Sequence, residues 1–414
     1  MKRFVICFDG TWQQLRQDNL TNIGVIARSV AHTNTTETEK IPQIVIYSQG
    51  VGANTAALGK SSLIGRTSQR INRLAGGVFG EGLEDLIVDT YLRLAFNYED
   101  GDEIYIFGFS RGAFAARSFS GLVNCSGIVS RLHADQAWEA FRLYRAAPDE
   151  RAGDAEKAEY LEAQKQFRKV YGKGRRAEDG TRVNSEDAPP ITYLGVFDTV
   201  GQRGAPDALG WLSHLMNKRY GFHNVRICPN VQSARHAVAI DEPRLGFPPT
   251  LWEHIDESNA AAQARPGADP QRTYYEQRWF VGSHGDVGGG NNSALSAAPL
   301  KWVAEGAAAC GLRFYAKHGE DESPLDRTLR EAGLSFDAPI TRPSFWKSLS
   351  PMNYPIYTRR IWRAKSAPTP VDISRHLDGT VAQRALAPNL RYSPSSLRPF
   401  RKALKDWAKD HPAA

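Results

Sequence analysis

Glu103-Ile104-Tyr105-Ile106-Phe107-Gly108-Phe109-Ser110-Arg111-Gly112-Ala113-Phe114-Ala115-Ala116-Arg117-Ser118-Phe119 decides the fold. Its first five residues read as a short buried strand, bounded upstream by the turn residues Gly101 and Asp102. The residues after Gly112 continue as a helix rich in small side chains. A Gly-x-Ser-x-Gly at such a junction describes a nucleophile elbow, a sharp strained turn that lifts the serine hydroxyl above a sheet. Strain of that kind costs about 1–3 kcal/mol, so it persists only where the surrounding fold enforces it. Without side chains, Gly108 and Gly112 let the helix start close against neighbouring strands. The first turn of that helix offers N–H groups to an anion, with the amide of Arg111 the natural donor.

Working outward, apolar and β-branched runs recur at 3–8, 43–47, 191–197 and 277–281, each followed by a polar or glycine-rich loop. Such runs read as strands buried on both faces of a parallel sheet. Helical patterns at 82–97, 111–124, 231–240 and 296–310 alternate with them. The expected fold is therefore α/β, a mostly parallel sheet with helices on both faces. Residues 130–190 break the rhythm with two charged amphipathic helices, at 134–147 and 154–171, and a polar stretch ending in Pro189-Pro190. They are expected as a helical insertion within a catalytic domain of residues 1–340, either lid-like over the sheet's C-terminal edge or pure surface decoration. Beyond 315 the chain is Pro/Arg-rich, and residues 341–414 are expected to wrap the core as an accessory segment.

A serine is a weak nucleophile until a base takes its proton, and the base needs an orienting acid. His284 follows the strand pattern at 277–281 and precedes a glycine loop, which can bring an imidazole over the sheet edge. His236 lies in the helix-like pattern at 231–240 and reads as a packed or supporting histidine. For the acid, Asp198 ends the apolar run 192–197, on the same edge as Ser110. Asp286 is two positions from His284, where a turn residue seldom faces the imidazole, and Asp241 is a third option. The order Ser, Asp, His is that of α/β-hydrolases. A second oxyanion donor is expected from the amide of Gly10 or Thr11, in the loop leaving the first strand, the alternative being that Asp9 merely caps the following turn.

Composition and two near-motifs exclude other classes. The 414 residues carry 41% hydrophobic and 23% charged residues, ordinary for a globular protein. No run approaches the ~20 apolar residues of a membrane span, and the N-terminus lacks a signal-peptide pattern, so cytoplasmic synthesis is expected. Export would use a route that reads no such signal. Cys7, Cys125, Cys228 and Cys310 are scattered without metal-type spacing, so neither metal nor organic cofactor is expected. The net charge of +7 permits an anionic partner without demanding one, and nucleic acid is not expected. Basic clusters at 173–176 and 359–365 read as solvated loop charge, although Tyr354, Tyr357 and Trp362 beside the second keep contact with a membrane surface open. Asn54 stands where a phosphate-binding loop ending in Gly59-Lys60-Ser61 needs glycine. Asp9-Gly10-Thr11 also occurs in aspartyl-phosphate phosphatases, but Cys7 occupies the position of their nucleophilic aspartate.

Six blocks occur in order: residues 8–12 (Phe-Asp-Gly-Thr-Trp), Gly50-Val51-Gly52, the elbow, Phe197-Asp198-Thr199-Val200-Gly201, Ala234-Arg235-His236-Ala237 with Ile240-Asp241-Glu242, and Gly282-Ser283-His284-Gly285-Asp286-Val287-Gly288-Gly289-Gly290. Together they resemble the α/β-hydrolase domain family that includes the catalytic domains of type VI secretion phospholipase effectors. The resemblance spans roughly residues 3–310, with a weaker echo at 373–397. It implies that Ser110, Asp198 and His284 match the family's triad, and that the substrate is a lipid ester, with phospholipid first and a small soluble ester next. A catalytically silent interaction protein that kept the fold is the competing expectation. Effectors of this family typically carry a large membrane-docking region for which this chain has little room. The resemblance therefore bears on fold and triad more than on substrate.

Overall fold

The computed structural model describes residues 1–11, 13, 15, 19–35, 40–50, 77–148, 151–176, 182–183, 186–201, 225–244, 247–291, 294–318, 321–333, 336–341, 358–361 and 367–410. The stretch around Asn54–Ser61 and the aromatic residues Tyr354, Tyr357 and Trp362 lie outside them. Seven strands form the central sheet: β1 Arg3–Phe8, β2 Thr33–Thr35, β3 Lys40–Ser48, β4 Glu103–Phe109, β5 Tyr193–Phe197, β6 Ala234–Ala239 and β7 Tyr275–Phe280. Their order is β2-β3-β1-β4-β5-β6-β7, and only the edge strand β2 runs antiparallel to its neighbour. The parallel strands thus end at one edge, with Phe8 opposite Gly108, Phe109 opposite Phe197 and Ala239 opposite Phe280.

Alternation along the strands divides the core. Phe4, Ile6, Phe8, Ile104 and Ile106 face one layer, where they pack with Tyr91 and Leu94 of α2 (Gly77–Asn97) and Phe119 of α3 (Arg111–Ser126). Val5, Cys7, Tyr105 and Phe107 face the other, against Ile23 and Ile26 of α1 (Asn22–Ser29) and Leu300 and Val303 of a helix at Ala297–Ala309. Strands covered on both faces need no polar side, which is why they read as continuous apolar runs.

Two expectations are corrected. Residues 231–240 are not a helix, since Ala234–Ala239 is the fully paired inner strand β6. Its alanines suit a helix by propensity, but pairing with β5 on one side and β7 on the other makes the segment a strand, with Ala237 and Ala239 buried in the same cluster as Phe280. The insertion is anchored away from the edge that carries Ser110. Its helices α4 (Ala137–Arg145) and α5 (Asp154–Tyr171) lie along α3, and Arg168 donates to the carbonyls of Asn124 and Cys125 at the far end of that helix. Lys173 extends this anchor, donating to Tyr98 O and to Glu99 Oε1 (3.0 Å) just before β4. Within the basic clusters Lys173 and Arg359 depart from a solvated reading, their side chains being 3% and 0% exposed, whereas Arg360 is exposed.

The C-terminal residues close the β7 end of the sheet. Ile361, Ile373, Leu377, Phe400, Leu404 and Trp407 share a hydrophobic cluster with Val238 of β6 and Trp279 of β7. Leu377 bridges Trp279 in parallel fashion, and Asp378 N donates to Trp279 O at 2.9 Å.

Candidate active site

Ser110 sits between β4 and α3 with φ 59° and ψ −122°, a conformation that non-glycine residues rarely adopt. Its backbone is pinned by its N–H donating to Phe197 O at 3.1 Å and by Ala113 N donating to its carbonyl, also at 3.1 Å. The elbow glycines are sterically required. A Cβ on Gly108 would lie 2.4 Å from Gly112 O, and one on Gly112 would lie 2.3 Å from Phe8 O. That close approach seats the start of α3 against the end of β1.

Asp198 leaves β5 at φ 37° and His284 follows β7, so both stand on the edge that carries Ser110. His284 Nδ1 lies 2.5 Å from Asp198 Oδ2, and its Nε2 lies 2.8 Å from Ser110 Oγ. A carboxylate only accepts, so the imidazole proton is on Nδ1 and Nε2 is free to accept from the serine hydroxyl. Phe109 and Phe247 flank the ring, with centroids 4.8 and 5.0 Å away. All three polar residues are buried, yet burial does not neutralise the acid. Desolvation pushes the Asp198 carboxyl up, but Arg359 and His284 outweigh it and hold it well below the usual carboxylate range.

Arg359 was not foreseen as a site residue. Its guanidinium donates to Asp198 Oδ1 at 2.5 Å and Oδ2 at 3.0 Å, and to the carbonyls of Ala239 (2.9 Å) and Phe247 (2.7 Å). Glu242 is a second unforeseen group, accepting the backbone amide of His284 at 3.0 Å and two guanidinium bonds from Arg244. Both are charged residues that the fold buries almost completely, at 1% and 2% exposure. Charge in a loop gives no sequence signal of that.

The other candidates have different tasks. Asp286 closes a capping box with Ser283 and accepts from Thr341 N at 3.0 Å, so its carboxylate serves backbone and hydroxyl donors. Asp241 accepts from Gly282 N and Tyr392 Oη, both at 2.8 Å, tying the turns after β6 and β7 together. Its carboxyl is pushed up to about 6, chiefly by burial. His236, fully buried in β6, accepts from Thr199 N at 3.2 Å and faces Gln277 Oε1 through Nδ1. Burial and then Arg117 lower it to about 3, so it is a neutral prop for the turn after Asp198.

Asp9, also buried, gathers Tyr47 Oη (2.5 Å), Thr21 Oγ1 (2.7 Å) and Gly10 N (2.7 Å), and desolvation raises its pKa despite these bonds. The Gly10 amide is thereby directed at Asp9, which corrects its candidacy as an oxyanion donor. Thr11, whose buried Oγ1 has no hydrogen-bond partner, stands beside it, and Arg111 opens α3 directly after Ser110. Gly50 packs under this turn, where a Cβ would overlap Gly10 O at 1.7 Å.

Among the described residues no group of three or more His, Cys, Asp or Glu is arranged to hold a metal ion, and no helix is long and apolar enough to cross a membrane.

The comparisons with known proteins bear on residues 2–306, which match the family model described as T6SS, Phospholipase effector Tle1-like, catalytic domain. The uncharacterized protein YEL023C of Saccharomyces cerevisiae is 28% identical over 251 residues, covering 59% of this chain and 32% of its own length. Two solved structures are similar at 16% identity. One is an uncharacterized protein from Pseudomonas aeruginosa (TM-score 0.36, 76% of this chain, 46% of that chain). The other is the Tle1 effector bound to the VgrG spike from the type 6 secretion system (TM-score 0.32, 72% of this chain, 52% of that chain). The chain thus spans about a third of the yeast protein and about half of each solved chain. By the family match, the chain belongs to the T6SS phospholipase effector Tle1-like catalytic domains.

Proposed function

We propose that this protein is a serine ester hydrolase acting on phospholipid esters. The observation that carries the reading is the buried relay from Asp198 through His284 to Ser110, ending on a serine held at φ 59°. In this reading Ser110 Oγ attacks the ester carbonyl carbon while His284 Nε2 takes the hydroxyl proton. Asp198 keeps the imidazole in the Nδ1–H tautomer and stabilises the imidazolium that forms. The amides of Arg111 and Thr11 are assigned to the oxyanion. Collapse of the tetrahedral intermediate expels the alcohol, which leaves with the proton from His284, and an acyl-Ser110 remains. Water then attacks the acyl carbon, giving up a proton to His284, and the carboxylic acid departs as Ser110 is reprotonated.

Family membership supports the lipid substrate and secretion as an effector. The Phe109 and Phe247 rings beside His284 are compatible with an acyl chain.

A fluorophosphonate probe tests the chemistry. It should label the native protein at Ser110, and Ser110→Ala should abolish both labelling and turnover. Equal labelling of Ser110→Ala, or none of the native protein, ends the serine-hydrolase reading in favour of a silent interaction protein. Phospholipid vesicles assayed beside p-nitrophenyl esters test the substrate, and activity confined to short soluble esters removes the phospholipid assignment.

A further inference from the structure

We propose that Arg359 is a positioning residue of the active site, fixing the Asp198 carboxylate so that it can orient His284. The inference rests on the serine-hydrolase reading above. It concerns a residue outside the 2–306 family match, in a segment whose sequence reads as surface charge.

The geometry has three parts. Asp198 lies between two partners, with His284 Nδ1 on Oδ2 at 2.5 Å and the Arg359 guanidinium on both oxygens at 2.5 and 3.0 Å. Ala239 N adds a third donor, to Oδ1 at 2.9 Å. A two-pronged guanidinium fixes the plane of a carboxylate more firmly than the separate single donors on Oδ1 and Oδ2 do without it.

The guanidinium is itself immobilised. Its remaining terminal N–H groups go to Ala239 O at the end of β6 and Phe247 O in the following loop, and Ile361 two residues on is buried in the C-terminal cluster. Arg359 therefore links Asp198 to the end of β6 and to the loop whose Phe247 ring lies against His284.

The C-terminal region also touches two other aspartates of this edge, through Thr341 to Asp286 and Tyr392 to Asp241. Those contacts hold turns, since neither carboxylate bonds the imidazole. Among the described C-terminal residues only Arg359 contacts the acid of the relay, so substitution there should act on turnover more than on binding.

The test is a double-mutant cycle between Arg359→Met and Asp198→Asn in the full chain, with kcat and KM measured per folded molecule by circular dichroism. Arg359→Met should lower kcat about 100-fold, the order that a misplacement of about 1 Å costs, with KM within about threefold. Asp198→Asn should cost about 10⁴ through the wrong tautomer, and adding Arg359→Met to it should cost under about threefold more. A purely structural arginine gives the opposite pattern, with kcat per folded molecule unchanged by Arg359→Met or the two losses multiplying, and either result overturns the proposal.

If Arg359→Met does not fold, Arg359→Lys decides. It keeps the charge but loses the fork, so kcat should fall about tenfold, and wild-type kcat would refute positioning. A wild-type protein that neither turns over esters nor labels at Ser110 overturns the hydrolase reading and this inference together. An active wild type with an indifferent Arg359 overturns this inference alone.

Discussion

His284 donates its backbone amide to Glu242 Oε2 at 3.0 Å, so the residue bearing the imidazole is gripped by a buried carboxylate from the turn after β6. Glu242 is held in turn by Arg244 Nε at 2.5 Å and Nη2 at 2.9 Å, and Arg244 lies over the Phe247 ring at 3.8 Å. Burial pushes the Glu242 carboxyl up, but Arg244 outweighs it, so the group is charged in the folded protein.

Glu242→Ala strips this grip and leaves Arg244 without its carboxylate. Hydrogen bonds to charged groups contribute about 1.5–3 kcal/mol each, so the variant should lose at least about 2 kcal/mol in urea denaturation. Its kcat should fall about tenfold or more as the imidazole wanders. Glu242→Gln keeps an oxygen for the His284 amide and should retain more activity than Glu242→Ala. Equal kcat in both variants would show that the loop is held by other means.

Ser110→Gly should separate stability from activity. Glycine adopts a positive φ without the steric cost that serine bears at φ 59°, so the variant should gain about 1 kcal/mol of stability. Hydrolysis should fall by about 10⁴–10⁶ in kcat. A Ser110→Gly protein less stable than wild type would mean that the elbow is not strained.

The elbow, Asp198 and His284 were legible in the sequence because each sits where a strand ends, and strand ends announce themselves by a change from apolar residues to glycine and polar ones. Residues 231–240 were not, because alanine favours helix locally and it is the pairing with β5 and β7, remote in sequence, that makes Ala234–Ala239 a strand. Arg359 was illegible for a different reason. Its partner is 161 positions away, and nothing in a local run of basic residues says which one the fold will bury. The insertion's helices form near the expected bounds, but their anchoring on α3 depends on side chains such as Arg168, whose Cys125 partner is 43 positions away.

Gly112→Ala should damage the site from the outside. The added methyl would stand 2.3 Å from Phe8 O and 2.4 Å from Asp9 O, backbone atoms that cannot rotate away. Overpacking of this kind costs about 1–3 kcal/mol. It also pushes the turn that carries Thr11, so kcat should drop about 100-fold. Gly379→Ala is the control, with nothing within 4 Å of its Cβ, and should be stable to within about 1 kcal/mol and fully active. Normal turnover in Gly112→Ala would remove the β1 turn from the reaction.

Asp241 gives a pH dependence of opposite sign to that of Asp198 and Glu242. The depressed carboxyls of Asp198 and Glu242 contribute stability above their unfolded pKa, lost as pH falls through the folded value. Asp241 is raised from 3.8 to about 6, chiefly by burial, so between those values the folded state binds more protons than the unfolded chain. Its contribution is present below the unfolded pKa and disappears as pH rises through about 6. Asparagine at this position keeps an oxygen for Gly282 N and Tyr392 Oη but never ionises. The stability of wild type relative to Asp241→Asn should therefore fall by up to about 3 kcal/mol between about pH 4 and about pH 7. Urea midpoints of the two proteins across that window measure the difference. A constant gap would mean that Asp241 ionises as readily in the folded protein as in the unfolded chain.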